Sequence, residues 1–329
     1  MSVAGHVTEK TVTLDDVIAA SDRVKILARE TPVYTSRLFD EAAGVKAFFK
    51  CENFQRGGAF KIRGSTNFLL SLTDEDRKRG VVTYSSGNHA QAVAIAAARL
   101  SMAATIVMPS DAPRAKFEST QAYGPKIVFY DRQRESRETI ARHIASETGA
   151  VVLPPYDHPW IIAGQATAAL ELIRERPELD AIVVPLGGGG LLSGTLVATK
   201  ALRPDLRVFG VEPEVANDWF LSLRHGEPVE IAIPPTIADG LRATMPGAIT
   251  FPIVRAMAEG VALVSDDEIK ATMRFILTRM KMVVEPSGAV AAAAVLHKKL
   301  SPDIRSIGII ISGGNVDLDV LSGICSEAA

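Results

Sequence analysis

The chain has 329 residues, 47% hydrophobic and 22% charged, a balance that supports a sizeable packed core and excludes a disordered chain. Lysine plus arginine number 36 against 38 for aspartate plus glutamate, so the net charge of −2 gives no electrostatic ground for a nucleic-acid partner and favours a small, neutral or zwitterionic ligand. The two cysteines, Cys51 and Cys325, form no CxxC pair, which argues against a disulfide framework or a thiolate metal site. "MSVAGHVTEKTVTLDD" has no apolar leader core, and no run approaches the roughly 18 apolar residues of a membrane span. A soluble, cytoplasmic protein with no membrane partner is the expectation.

In chain order, "KAFFKCEN" (46–53) reads as a strand and leads into "ENFQRGGAFKIRGS", a glycine-rich segment holding Lys61 beside Phe60. Two further strands, "GVVTYSS" (80–86) and "ATIVMP" (104–109), flank the alanine-rich helix "NHAQAVAIAAARL" (88–100). "KIVFY" (126–130) and "AVVLP" (150–154) extend the series. The prolines Pro154, Pro155 and Pro159 then mark a crossover between two lobes. A helix at "ATAALELIRERP" (166–177) follows, with strands "AIVVPL" (181–186), "RVFGVEP" (207–213) and "SIGIIIS" (306–312). Short β-branched runs alternating with alanine-rich helices predict an α/β fold with mostly parallel sheets. The short tail after "ISGGNVD" gives the expectation of no appended regulatory domain.

Three loops after strands carry the chemistry. In "AIVVPLGGGGLLSGTLVATK" four glycines, Gly187, Gly188, Gly189 and Gly190, stand between a buried strand and a helix. There the backbone can approach an anion with its N–H groups, and the helix dipole adds to the attraction. A phosphate is the expected guest; the bland reading is a tight turn. A dinucleotide fold has support from Glu212, which ends the next strand about 20 residues on. Its G-x-G-x-x-G spacing fails, however, because Leu192 or Ser193 falls at the third glycine, and no Gly-Lys-Ser/Thr follows for a P-loop. "SSGNHAQ" (85–91) and "SGGNVD" (312–317) supply hydroxyl, amide and backbone donors at strand ends, where open α/β sheets bind ligands. Each alone also suits an ordinary cap or turn.

"ENFQRGGAFKIRG", "SSGNHAQ", "IAGQATAALE", "VVPLGGGGLLSG", "TIADGL", "EPSGAVAAAAVL" and "SGGNVDL", in this order over nearly the whole chain, resemble the serine/threonine dehydratase and serine racemase family. That family uses pyridoxal 5′-phosphate (PLP) in the fold shared with the tryptophan synthase β subunit (fold type II). The resemblance implies two open, twisted, mostly parallel sheets flanked by helices, with a PLP cleft between a large domain (1–75 and 155–329) and a small one (76–154).

It also implies site roles. Lys61 is the Schiff-base lysine, with Phe60 excluding water around it, and a desolvated pocket lowers an amine's pKa toward its nucleophilic form. Gly187, Gly188, Gly189, Gly190 and Leu191 hold the phosphate, Asn88 the ring hydroxyl and Ser312 the pyridine nitrogen. A serine there leaves the ring a weaker electron sink than a carboxylate would, which favours prompt loss of a β leaving group. Ser85, Ser86, Gly87, Asn88 and His89 form the substrate loop, with Ser86 as acid or base opposite Lys61 and His89 structural.

The implied reaction eliminates water from L-threonine or L-serine, and hydrolysis of the resulting enamine takes a water back up and gives a 2-oxo acid and ammonia, with serine racemisation and threo-3-hydroxyaspartate elimination as alternatives on the same scaffold. A nucleotide-dependent oxidoreductase is a remote alternative that leaves Lys61, Asn88 and Ser312 without a role. In "VEPEVANDW", Glu212, the Ala216 carbonyl and Asp218 have the spacing of the Mg²⁺ or Ca²⁺ site of racemase-like members; the bland reading is two exposed acids on a loop. A homodimer is the usual assembly of such proteins. Ala59 stands where serine is usual and Ser65 where alanine is common. Arg132, Arg134, Arg137 and Arg242 raise the question of a second substrate carboxylate, and Arg137 is the candidate for binding it; otherwise these arginines lie on solvated faces.

Overall fold

The computed structural model describes residues 11–112 and 114–326; residues 1–10 and 327–329 of the expected large domain lie outside them. Among the described residues ten strands form two sheets. The first contains β1 (Val33–Thr35), β2 (Lys46–Cys51), β7 (Ala181–Pro185), β8 (Arg207–Pro213), β9 (Gly260–Val264) and β10 (Ser306–Ile311), ordered β1-β2-β10-β7-β8-β9. All its pairings are parallel except β1 with β2. The second contains β3 (Val81–Tyr84), β4 (Ala104–Pro109), β5 (Lys126–Tyr130) and β6 (Val151–Val152), ordered β5-β4-β3-β6 and wholly parallel.

The six-stranded sheet is buried on both faces, which is why its central strands read as unbroken apolar runs. Along β10, Ile307, Ile309 and Ile311 face the alanine-rich helix Pro286–Leu296, while Ile310 faces Leu172, Leu192, Leu196 and Trp219. The helix Lys61–Ser71 buries Ile62, Phe68 and Leu69 against Val81, Val93 and Ala96 of the four-stranded layer. Its other side meets the helix Pro159–Glu175, where a Cβ on Gly164 would lie 2.7 Å from the Gly64 Cα. The helix that begins with Lys61 is thereby wedged between the two layers.

Most expected elements are present, with informative differences. β2 stops at Cys51 because Glu52 turns inward to meet Arg63. β6 is only two residues long, since Pro154 and Pro155 have no N–H for the ladder. The helix expected from residue 166 begins at Pro159, where proline tolerates the first helical position and the His158 ring accepts from Trp160 N at 3.1 Å. β1 and β9 are additional. No helix among the described residues is long and apolar enough to cross a membrane.

Candidate active site

Lys61 opens its helix directly after a loop stitched to the end of β10. Ala59 forms an isolated bridge with Gly313, and Phe60 N donates to Ser312 O at 3.0 Å. Gly57 and Gly58 turn this loop at φ +73° and +72°, a region other residues enter only with strain. Lys61 Nζ donates to Pro155 O at 2.8 Å and lies 5.1 Å from the Phe60 ring centroid. The side chain retains some exposed area, but its amine sits deep enough that lost hydration lowers its pKa to about 8.

A buried ion network fixes the next turn. Arg63 forks onto Glu52 with two bonds of 2.8 Å and onto Glu171 at 2.6 and 2.8 Å, and Lys50 Nζ meets Glu171 at 2.6 Å. Two cations and two anions cancel. Thr31 and Thr167 supply further hydrogen bonds, so the helix is held at a fixed depth behind the lysine.

The glycine turn joins β7 to the helix Gly190–Leu202. Among the described residues none of the N–H groups of Gly187, Gly188 and Gly189 has a protein acceptor, and those of Gly190 and Leu191 belong to the first helical turn, where no intrahelical partner exists. The carbonyls, by contrast, are tied back: Trp219 Nε1 donates to Gly187 O at 2.5 Å and Thr250 Oγ1 to Gly188 O at 2.9 Å. A Cβ on Gly188 would run into the Tyr156 ring, and one on Gly189 (φ +92°) into Trp219 and Thr250. Free donors over a turn that admits no side chain fit a phosphate.

Around this cradle, Asn88 Nδ2 donates to Glu285 Oε1 at 2.7 Å, and Asn88 Oδ1 accepts from Asn315 Nδ2 at 2.9 Å, which leaves one Asn88 amide hydrogen for a ligand. Ser312 is buried, with a long 3.4 Å contact to Ser287 O. Ser85 Oγ accepts from Gly87 N at 3.2 Å, whereas the Ser86 hydroxyl is half-buried with no protein partner among the described residues. His89 is buried, 3.0 Å from Thr83 Oγ1; burial, then the Lys61 charge, lowers its pKa to about 3, so the ring stays neutral.

Glu285 escaped the sequence reading because an acid before Pro286 at a helix start looks like a cap. Its side chain instead turns inward, where burial and then the Asp239 charge push its pKa up to about 8. Tyr156, Trp219 and Thr250 were missed for the same reason, since only tertiary contact brings them to the glycines.

Of the four arginines, Arg132 pairs with Asp111, Arg134 lies exposed near Asp131, and Arg242 is tied to the Thr236 carbonyl. Arg137, the first residue of the helix Arg137–Thr148, stacks 5.6 Å over the Tyr84 ring. Its Nε donates to Glu138 Oε1 at 2.9 Å, and neither Nη has a protein partner among the described residues.

Glu212 and Asp218 are buried rather than exposed on a loop. Glu212 accepts from Trp219 N at 3.1 Å and Phe220 N at 3.0 Å. Burial pushes both above the ordinary carboxylate range, and the Asp218 charge adds to the effect on Glu212. Among the described residues Asp218 Oδ2 is buried with no partner, and the Ala216 carbonyl receives no backbone donor. Such a set fits a hard cation. Among the described residues no group of three or more His, Cys, Asp or Glu gathers as a metal centre.

A two-sheet α/β fold, a desolvated lysine at a helix start and a glycine cradle of free donors define a class of cofactor enzyme. Residues 24–313 match the family model described as pyridoxal-phosphate dependent enzyme, and the chain belongs to that family. It is 50% identical over 304 residues to a Pseudomonas sp protein named L-threo-3-hydroxyaspartate ammonia-lyase, covering 92% of this chain and 95% of that one. It superposes on maize serine racemase with a TM-score of 0.92 at 42% identity, covering 96% and 98% of the two chains. Against the T.th. threonine deaminase the TM-score is 0.87 at 41% identity, with 93% and 99% covered. The fold is therefore that of the fold type II PLP enzymes, and the chain falls in their ammonia-lyase and racemase group.

Proposed function

We propose that the chain is a PLP-dependent ammonia-lyase for β-hydroxy amino acids that prefers a substrate with a second carboxylate, L-threo-3-hydroxyaspartate, releasing a 2-oxo acid and ammonia. The observation that carries this choice is Arg137, whose two Nη groups lack protein partners among the described residues while its ring contact and Glu138 hold it in place. A planar guanidinium edge of this kind suits a carboxylate bidentately. The likeness to a protein named for that substrate supports placing it ahead of L-threonine and L-serine.

PLP, when bound, supplies the electron sink that makes the Cα–H bond acidic. Lys61 would carry the cofactor and, with a pKa of about 8, takes up the Cα proton. The free amides of the Gly187–Leu191 turn would hold the phosphate, the spare Asn88 hydrogen the ring oxygen and Ser312 the ring nitrogen, while Phe60 keeps water from the amine. Ser85, Ser86, Gly87 and His89 frame the α-carboxylate. Serine racemisation is the second reading, favoured by the unpartnered Ser86 hydroxyl as a proton donor on the opposite face. A Mg²⁺ or Ca²⁺ at Glu212, Ala216 O and Asp218, the two-domain division at residues 76 and 154, a homodimer and a cytoplasmic location belong to the same reading.

The test is 2-oxo acid release by the PLP-loaded protein from L-threo-3-hydroxyaspartate, L-serine and L-threonine, with and without Arg137→Ala. The expected result is a lead for the dicarboxylate that falls about 100-fold in kcat/KM in the variant, with serine little changed. A lead for threonine or serine, unaffected by the variant, would place Arg137 outside recognition.

A further inference from the structure

We propose that Tyr156 is a second substrate-recognition residue, its phenol hydroxyl acting beside the Arg137 guanidinium as a donor to the distal carboxylate of a dicarboxylic β-hydroxy amino acid. The proposal deepens the reading of Arg137 and rests on it. Tyr156 is pinned on both sides. Before it, Pro154 and Pro155 restrict the backbone, and the Pro155 carbonyl receives Lys61 Nζ at 2.8 Å. After it, Asp157 accepts from Ala248 N and Ile249 N at 2.9 Å and from Thr250 N at 3.2 Å.

Held this way, the ring lies across Gly188, where any Cβ would collide with it, and its Cβ would be 3.0 Å from one built on Gly190. The aromatic ring thus walls the phosphate cradle. Its hydroxyl has no protein partner among the described residues, and the residue is only half-buried, so a ligand can reach it. Burial, with the neighbouring Tyr84 adding, pushes its pKa up to about 12 and keeps it a neutral donor.

Arg137 and Tyr84 come from the four-stranded layer, and Tyr156 lies within electrostatic reach of both. Two acids stand nearby, and both are engaged: Glu138 takes Arg137 Nε, and Asp157 takes the three amides. What remains open among the described residues is the phenol O–H of Tyr156, that of Tyr84 and the guanidinium's outer edge, a donor set matched to a carboxylate. The methyl of threonine or the hydrogen of serine would leave these donors unpaired, and a site with unpaired polar groups discriminates strongly.

The experiment uses wild-type holoenzyme and Tyr156→Phe, which keeps the ring on Gly188 and removes only the hydroxyl. Succinate binding is measured by calorimetry, PLP content by absorbance, and KM and kcat with L-threo-3-hydroxyaspartate and L-serine. The expected result is unchanged PLP content, succinate affinity and hydroxyaspartate KM each worse by about tenfold, and serine KM within about twofold. Unchanged succinate affinity in a variant of an enzyme that does prefer the dicarboxylate overturns the role of Tyr156 alone. Equal losses on serine and hydroxyaspartate, or loss of PLP, also overturn it, because they make the residue part of the cofactor seat. A wild-type enzyme with no dicarboxylate preference overturns this proposal and the reading of Arg137 together.

Discussion

Arg63 and Glu52 meet with both side chains withdrawn from solvent, joined by two parallel hydrogen bonds of 2.8 Å. Removing Glu52 leaves Lys50 and Arg63 to share the single negative charge of Glu171, so the buried network keeps an uncompensated cation and Glu52→Ala is expected to cost about 3–5 kcal/mol, read as a lower urea midpoint. Burial alone would raise the Glu52 carboxyl, but Arg63 and Thr31 outweigh it and hold it below the ordinary value of 4.5. The stability it contributes is present above about pH 4.5 and is lost as the pH falls from there through the folded value. Glu52→Gln should therefore flatten the acid limb of a stability-against-pH curve, and an unchanged limb would show that other carboxylates govern acid unfolding.

The Lys61 amine, lowered to about 8, is roughly one-tenth neutral at pH 7, against about one part in three thousand for an ordinary lysine. PLP loading of the apoprotein, followed by its visible absorbance, should accelerate with pH to a plateau with a midpoint near 8. Because the unfolded chain keeps its lysine proton up to about 10.5, this residue also makes apoprotein stability rise between about pH 8 and 10.5. A loading midpoint near 10 would show that the amine is hydrated in solution. Lys61→Ala should load no PLP as a coloured species.

Gly188→Ala forces a methyl against the Tyr156 ring and into the mouth of the cradle, so PLP dissociation should rise at least about tenfold. Gly226→Ala is the matched control. Its φ of +90° carries strain of about 1 kcal/mol, but no atom lies within 4 Å of the added methyl, and PLP binding should not change. Equal effects from the two substitutions would mean that general destabilisation, not the cradle, sets cofactor affinity.

If the buried oxygens of Glu212, Ala216 and Asp218 hold a cation, Mg²⁺ in large excess over its dissociation constant should raise Tm by several degrees, and a chelator should reverse the rise. Asp218→Asn should abolish the response. A response that survives the substitution would locate the ion elsewhere.

The central strands of the larger sheet were legible because burial on both faces leaves an unbroken apolar run, as in "AIVVP" and "SIGIII". β1 and β9 were not: one has three residues with two of them exposed, and the other is only partly buried at a sheet edge. The glycine turn and Lys61 stood out because their composition is costly without a purpose. Glu285 did not, because its meaning lies in a hydrogen bond to Asn88, 197 residues away. Tyr156 likewise acquires its place only when Gly188 folds beneath it. Among the arginines, sequence could nominate four candidates, but only their partners separate Arg137 from the rest.

The stitch between Ala59 and Gly313, with Phe60 N on Ser312 O, ties the segment before Lys61 to the end of β10. The two ends of the cofactor seat are therefore one mechanical body. A shift at Gly313, whose surroundings already leave no room for a side chain, is transmitted to Lys61 without passing through the small sheet. Substitutions on the two strands of this stitch should be strongly non-additive, the second costing far less than it does alone.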